Sequence, residues 1–256
     1  MTQRARIISI APDADPTVWR QALADCFWTT GAIIKEDDHR RQVWRVSHSG
    51  QDFAVKVRPI VGILGRCRVR FGNTDFTRAR RAADLLAGAG FITPAPVIHA
   101  EVDGFEILVT PWVEAPTVLQ RWTSAGPKDR PMLARAVGEL VGRLSRKGLF
   151  NRDAKPSNLL WLDPDIALLD IGGVRRCEPA STIHLARMIS ALGFEPVGTG
   201  HAPNAGEIVI AVRAAIDSAG ARPCRCAIIE RLRIIIQTHG DPTPRHDPLA
   251  PEPNRR

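Results

Sequence analysis

The sequence has few of the features that mark secreted or membrane-spanning proteins. Its five cysteines are odd in number and scattered, which argues against a disulfide framework and favours a reducing compartment. No apolar run approaches the roughly 18 residues that a membrane-spanning helix needs, and residues 1–12 lack the pattern of a secretory signal. Cys224 and Cys226 form a C-x-C with no second pair, so we interpret them as structural. We therefore expect a cytoplasmic protein.

Acidic residues are outnumbered, with 27 Asp and Glu against 35 Lys and Arg, and the net charge is +8. Such a balance favours an anionic partner such as a nucleotide or an anionic lipid surface, although a solvated basic surface explains it equally well. No basic motif interleaved with aromatic residues is present, so no nucleic-acid partner is expected. The 256 residues, 44% of them hydrophobic, are enough for one large domain or two lobes.

The order of predicted elements is strand-rich first and helical afterwards. The predicted helices cover residues 16–28, 74–88, a stretch from 131 to 147, 180–192, 206–219 and 223–238. The predicted strands include a hairpin that turns at Ser49-Gly50 and the segments ITPAPVIHAE and FEILVTPWVE. This order predicts an α+β chain with a β-rich N-lobe (1–110), a helical C-lobe (111–240) and a disordered tail (241–256). We expect the ligand cleft at the break between the lobes.

One stretch carries most of the chemical information, and it begins as GLFNRDAKPSNLL. Asp153 is followed by Lys155 and Asn158, and Asp170 opens an Asp-Ile-Gly after an apolar run. This spacing resembles the protein-kinase catalytic loop and the D-F-G that follows it. Further upstream, Phe53-Ala54-Val55-Lys56 resembles the kinase V-A-I-K strand. The alternative interpretation is a structural Asp–Lys–Asn turn after a helix.

The chain therefore resembles the protein-kinase-like superfamily, and within it the bacterial lipopolysaccharide-core (Kdo/WaaP) kinases. The segments ADLLAGAGFITPAPV and ILVTPWVE support that second likeness. The resemblance implies a bilobal kinase-like fold, with ATP and Mg²⁺ bound by Lys56, Asn158 and Asp170. Lys56 would hold the α- and β-phosphates, and Asn158 and Asp170 would supply oxygen ligands to Mg²⁺. Asp153 would accept or orient the acceptor proton, and Lys155 would neutralise charge on the transferring phosphate.

Four positions depart from the kinase pattern. The turn that carries the glycine-rich loop in kinases is occupied here by residues 37–41, DDHRR. Asn151 replaces the catalytic-loop His, and Ile171 replaces the Phe of D-F-G. Ala79 stands where the helix Glu that pairs with the strand Lys is expected, which leaves Asp75 or Asp84 as substitutes; we expect Lys56 to pair with Asp170 or Asp84.

These observations predict an ATP- and Mg-dependent phosphotransferase that acts on a hydroxyl acceptor, a lipopolysaccharide-core or other saccharide. About ten residues separate Asp170 from the next helix, too few for a long peptide-docking activation loop. The alternatives are a catalytically weak pseudokinase that serves as a scaffold and an aminoglycoside-type phosphotransferase, whose cationic acceptor fits the positive charge poorly. A dense group of arginines indicates either peripheral contact with an anionic glycolipid membrane or a solvated helix face. That group comprises Arg66, Arg68, Arg70, Arg78, Arg80 and Arg81.

Overall fold

A computed structural model describes residues 5–36, 41–244 and 248–249. The chain divides into two compact units. Among the described residues, the first unit holds 5–36, 41–87 and 93–114, and the second holds 88–92, 115–244 and 248–249. Residues 37–40 of the predicted turn (37–41) and most of the predicted tail lie outside the described residues. Within the described part, no helix is both long enough and apolar enough to cross a bilayer.

The first unit is built on a six-stranded antiparallel sheet with the order β1-β5-β6-β4-β3-β2. Its strands are β1 (Ala5–Ile10), β2 (Ala32–Glu36), β3 (Gln42–His48), β4 (Gln51–Pro59), β5 (Ile98–Val102) and β6 (Phe105–Pro111). Its helices are α1 (Pro16–Ala24), α2 (Gly62–Arg70) and α3 (Asp75–Gly88).

The predicted hairpin is confirmed as β3 and β4, whose register pairs Val46 with Phe53. Ser49 and Gly50 both have positive φ, the geometry of the two-residue turn that matches strand twist. The alternation along β4 buries Val55 and its neighbours on the face that packs against α1, and it leaves Lys56 half-buried on the opposite face.

One of the two helices predicted in the first unit needs correction. The helix predicted for 16–28 ends at Ala24, because Cys26 adopts a left-handed conformation and a short 3₁₀ turn (Phe27–Thr30) follows. The helix predicted for 74–88 forms as α3. The nine-residue helix α2 was not predicted from the sequence.

The second unit is mainly helical. Its helices are α4 (Val118–Ser124), α5 (Arg130–Arg146), α6 (Thr182–Gly198), α7 (Ala205–Ala219) and α8 (Arg225–Thr238). Two short antiparallel ribbons complete it, one pairing β7 (Leu149–Asn151) with β10 (Val174–Arg176) and one pairing β8 (Leu159–Trp161) with β9 (Ile166–Leu168).

Helices α5 and α7 pack closely because two glycines lie one turn apart on α5. A Cβ added to Gly138 or Gly142 would clash with the backbone carbonyl of Ala211 or Ala215 on α7. Helix α6 is longer than predicted: it continues past residue 192 through Gly193 and Pro196 to Gly198. This extension places Glu195 beside the loop that follows β7.

Candidate functional site

The predicted catalytic loop follows β7 directly and is fixed by its own backbone contacts. Asn151, the residue at the usual His position, is 1% exposed, and its Oδ1 accepts a hydrogen bond from the backbone N–H of Asp153 at 3.0 Å. The backbone N–H of Lys155 donates to the carbonyl of Asp153 at 2.8 Å. Asn151 thus orients the start of the loop through a polar contact.

The carboxylate of Asp153 is partly exposed and closely bordered. Its Oδ2 lies 3.1 Å from the Arg152 guanidinium, and 34% of the side chain is accessible. A Cβ built on Gly173 would clash with that same Oδ2, so any larger residue there would require the carboxylate to move. A group at this place can accept a proton from a bound hydroxyl because one face remains open to solvent.

Asn158 and Asp170 lie at the same end of the β8–β9 ribbon. Leu159 pairs with Leu168 at that end, and the backbone N–H of Leu169 donates to the carbonyl of Asn158 at 2.8 Å. Asp170 follows with φ 46° and ψ 51°, a left-handed conformation that Asp tolerates better than most residues. Such outliers concentrate at functional sites.

The side chain of Asn158 ties this end of the ribbon to the catalytic loop. Its Nδ2 donates to the backbone carbonyl of Asp153 at 3.0 Å, so the amide oxygen points the other way. The structure therefore brings Asp153, Asn158 and Asp170 into one framework, although their roles in catalysis remain predictions.

These side chains suit a magnesium ion. An amide oxygen and a carboxylate are the hard oxygen donors that Mg²⁺ prefers, and Mg²⁺ commonly takes its remaining ligands from phosphates and water. Within residues 5–36, 41–244 and 248–249, no cluster of three or more His, Cys, Asp or Glu side chains is arranged to hold a metal.

Lys155 contacts a carboxylate that the sequence did not point to. Its Nζ lies 3.5 Å from Oε1 of Glu195, whose side chain is only 6% exposed. The same carboxylate accepts hydrogen bonds from Ser157, at 2.7 Å from the backbone N–H and 2.6 Å from the hydroxyl. Glu195 therefore fixes both the backbone of the loop and the position of its lysine. It lies 38 residues from Ser157 on α6, so no motif spacing reveals it.

The segment after Asp170 is short and regular. A 3₁₀ turn (Ile171–Gly173) leads into β10, which pairs with β7, and α6 begins at Thr182. The apolar Ile171, which replaces the Phe of D-F-G, is buried. The expectation that no long activation loop follows Asp170 is confirmed.

Lys56 belongs to the first unit, on β4 between β3 and β6. The carboxylates of α3 take other partners. Asp75 pairs with Arg58, at 3.2 Å, and with Arg78. Asp84 lies 3.8 Å from Arg80 and is 71% exposed, so α3 turns Asp84 toward solvent and away from the role predicted for it. Of the two partners predicted for Lys56, Asp170 stays a prediction.

The first unit contains a buried polar network two residues along β4 from Lys56. Glu106 is fully buried and accepts hydrogen bonds from Arg58 Nε at 2.7 Å and Thr74 Oγ1 at 2.6 Å. His99 Nε2 lies 2.7 Å from its Oε1. Burial alone would raise the pKa of Glu106, but hydrogen bonds from His99 and Thr74 and the charge of Arg58 outweigh it and hold this pKa below its ordinary value.

Taken together, the antiparallel sheet followed by a helical unit with this catalytic-loop framework defines a protein-kinase-like fold. A solved structure with the same fold is WaaP in complex with acyl carrier protein, with a TM-score of 0.58 and 16% identity over 91% of this chain and 98% of that chain. The kinase domain of M. tuberculosis PknI matches with a TM-score of 0.44 and 17% identity over 78% of this chain and 93% of that chain. No protein-family profile and no curated protein sequence matches the chain. The predicted fold class is confirmed, and at this identity the likeness concerns the fold.

Proposed function

We propose that this chain is an ATP- and Mg-dependent phosphotransferase whose acceptor is a hydroxyl group of a lipopolysaccharide-core or other saccharide. The observation that carries the proposal is the backbone-bonded framework that joins Asp153, Asn158 and Asp170. Phosphoryl transfer depends on positioning and charge stabilisation more than on covalent help from the protein. A framework whose polar groups are fixed before any ligand binds meets that need.

Each side chain has one task in the proposed reaction. Lys56 binds the α- and β-phosphates of ATP, and Asn158 and Asp170 hold the metal ion. An ion held by these two side chains would supply positive charge that offsets the charge of the phosphates. Asp153 accepts the proton of the acceptor hydroxyl while the new P–O bond forms and the bond to the ADP oxygen breaks. Lys155, oriented by Glu195, offsets charge on the transferring phosphoryl group.

A saccharide acceptor is supported by the short segment between Asp170 and α6. Eleven residues, 171–181, separate Asp170 from Thr182, and the first six of them form a 3₁₀ turn and a strand paired with β7. A peptide acceptor needs an extended docking segment, which these residues do not supply.

The pseudokinase alternative is favoured by one observation in the first unit. The carboxylates of α3 pair with arginines, and the strand-to-helix ion pair runs from Arg58 to Asp75. Kinases make this connection through the strand lysine and a helix glutamate. A protein with this arrangement that binds ATP without transferring its phosphate would be a scaffold.

Transfer from γ-labelled ATP to purified lipopolysaccharide core, with and without Mg²⁺, tests the proposal. We expect Mg-dependent labelling of the saccharide, and we expect Asp170→Asn to abolish it. Asp165→Asn is the matched control, because Asp165 is an exposed carboxylate in the turn between β8 and β9. ATP binding without transfer to any saccharide, lipid or peptide fraction would favour the pseudokinase.

A further inference from the structure

Helix α2 exposes an unusual amount of apolar surface. Val61, Ile63, Leu64 and Phe71 are 77–80% exposed, whereas the next most exposed large apolar side chain in the described part of the chain, Val209, is 62% exposed. Burying such side chains is favourable, so four exposed together in one short segment require an explanation. Clustered exposed apolar residues mark interaction sites.

Three of the four exposed apolar residues share one side of the helix, and the fourth, Val61, immediately precedes its first residue. Ile63, the half-buried Cys67 and Phe71 follow one another at four-residue spacing, and Leu64 is seven residues before Phe71. The inward side is marked by the buried Val69 and by Gly65, where a Cβ would lie 3.3 Å from the Ile60 side chain. The helix therefore packs against the rest of the unit through a narrow inner side, and its larger apolar side faces outward.

Arginines border the outward side. At about 100° per residue, Arg66 and Arg70 flank it on one edge and Arg68 on the other. The segment 60–74 contains these three arginines and no Asp or Glu. None of the three has a carboxylate partner within the described residues. Arg81 of α3 adds to the charge, because its guanidinium lies next to the turn at Gly72.

We propose that α2 docks the protein on an anionic membrane, with the apolar side chains inserted at the level of the lipid headgroups and the arginines on lipid phosphates. Apolar side chains between basic ones are the pattern of helices that lie in a membrane interface. A second copy of the chain fits less well, since it would bring the like-charged edges together. The proposal is independent of the phosphotransferase activity.

Flotation with vesicles tests the inference. The full chain should bind phosphatidylcholine vesicles that contain phosphatidylglycerol, bind pure phosphatidylcholine vesicles weakly, and lose affinity as salt rises, because charges are screened beyond about 8 Å at physiological ionic strength. Replacing Arg66, Arg68 and Arg70 with glutamine should lower the partition coefficient about 100-fold at low salt, at roughly fivefold per arginine.

The apolar contribution is tested separately. The double variant Ile63→Ser with Leu64→Ser should lower partition at least about 10-fold at both low and high salt. Its matched control is Val209→Ser with Ile236→Ser, two exposed aliphatic residues on α7 and α8. For the arginines the control is glutamine at Arg225, Arg231 and Arg233 of α8, which changes the net charge equally. Asp153→Asn should bind vesicles as the wild type does.

Several outcomes would overturn the inference. The first is no binding to anionic vesicles at low salt, and the second is equal loss of binding in the control variants. The third is concentration-dependent dimerisation in lipid-free sedimentation that Ile63→Ser with Leu64→Ser abolishes, which would assign this surface to a second copy. Retained vesicle binding by Asp153→Asn without phosphotransfer would leave the docking inference standing whatever becomes of the proposed function.

Discussion

The two units fix their polar side chains in different ways. In the second unit, Asp153 and Asn158 are held by contacts within a few residues or across one short ribbon. In the first unit, Glu106 is held by residues from β4, β5 and the start of α3, up to 48 residues away. Residues that are held by local contacts stand at a recognisable spacing in the sequence, whereas residues that are held by a long-range network do not. The comparison also separates stability from catalysis, since the buried network contains none of the predicted catalytic residues.

The largest expected effect is on the long-range network. Glu106→Ala would leave the mostly buried Arg58 without its main partner, and breaking a buried pair costs roughly 3–5 kcal/mol. Arg58 retains its ion pair with Asp75, at 3.2 Å. We therefore expect the free energy of unfolding to fall by about 3 kcal/mol, as measured by denaturant titration. The control is Glu101→Ala, the cross-strand neighbour, whose pair with Arg6 is exposed and is worth less than about 1 kcal/mol. Equal effects of the two variants would contradict the network's role.

A smaller effect is expected at Glu195, which contacts the catalytic loop from α6. Glu195→Ala removes the acceptor of both Ser157 hydrogen bonds, which costs about 1–3 kcal/mol of stability. Glu195→Gln keeps an acceptor oxygen but removes the charge next to Lys155. We therefore expect Gln to recover most of the stability while kcat stays reduced and KM for ATP changes little. A fully active Glu195→Gln enzyme would show that the carboxylate has only a structural role.

A third change probes the space beside Asp153. Gly173→Ala places a methyl group against the carboxylate oxygen, so the side chain must rotate away from its position. We expect turnover to fall about 10-fold, equivalent to about 1.4 kcal/mol of activation free energy, with normal ATP affinity. Gly172→Ala, one position earlier, is the comparison variant. Unchanged turnover in Gly173→Ala would mean that the position of this carboxylate does not matter.

The smallest expected effect is the contribution of Glu106 to the pH dependence of the free energy of unfolding. Because the folded-state pKa of Glu106 is lowered, this carboxylate stabilises the fold above its ordinary pKa of about 4.3. The stabilisation is lost as pH falls through the lowered folded-state pKa, since the unfolded chain binds the proton more readily. The difference in unfolding free energy between wild type and Glu106→Gln should therefore shrink in acid. A difference that grows as pH falls would reverse the sign and contradict the account.

The sequence predicted the local part of the site and the order of elements. Asp153, Asn158 and Asp170 could be found because one loop and one ribbon bring them together. Glu195 could not be found in this way, because it lies on the part of α6 that was not predicted. There α6 continues through Gly193 and Pro196, whose weak helix propensity is overridden by packing. The end of α1 was predicted too late because the left-handed conformation of Cys26 could not be predicted from its residue type. Helix α2 was not predicted because its outward side is apolar, whereas the solvent-facing side of a surface helix is usually polar.

The most direct measurement is single-turnover transfer from ATP by Asp153→Ala beside Asp165→Asn. If Asp153 accepts the acceptor proton, its loss should lower the rate of transfer at least about 100-fold while ATP affinity, measured by calorimetry, changes little. The Asp165→Asn variant should transfer phosphate at the wild-type rate. An Asp153→Ala enzyme that transfers phosphate normally would contradict the central assignment of this site.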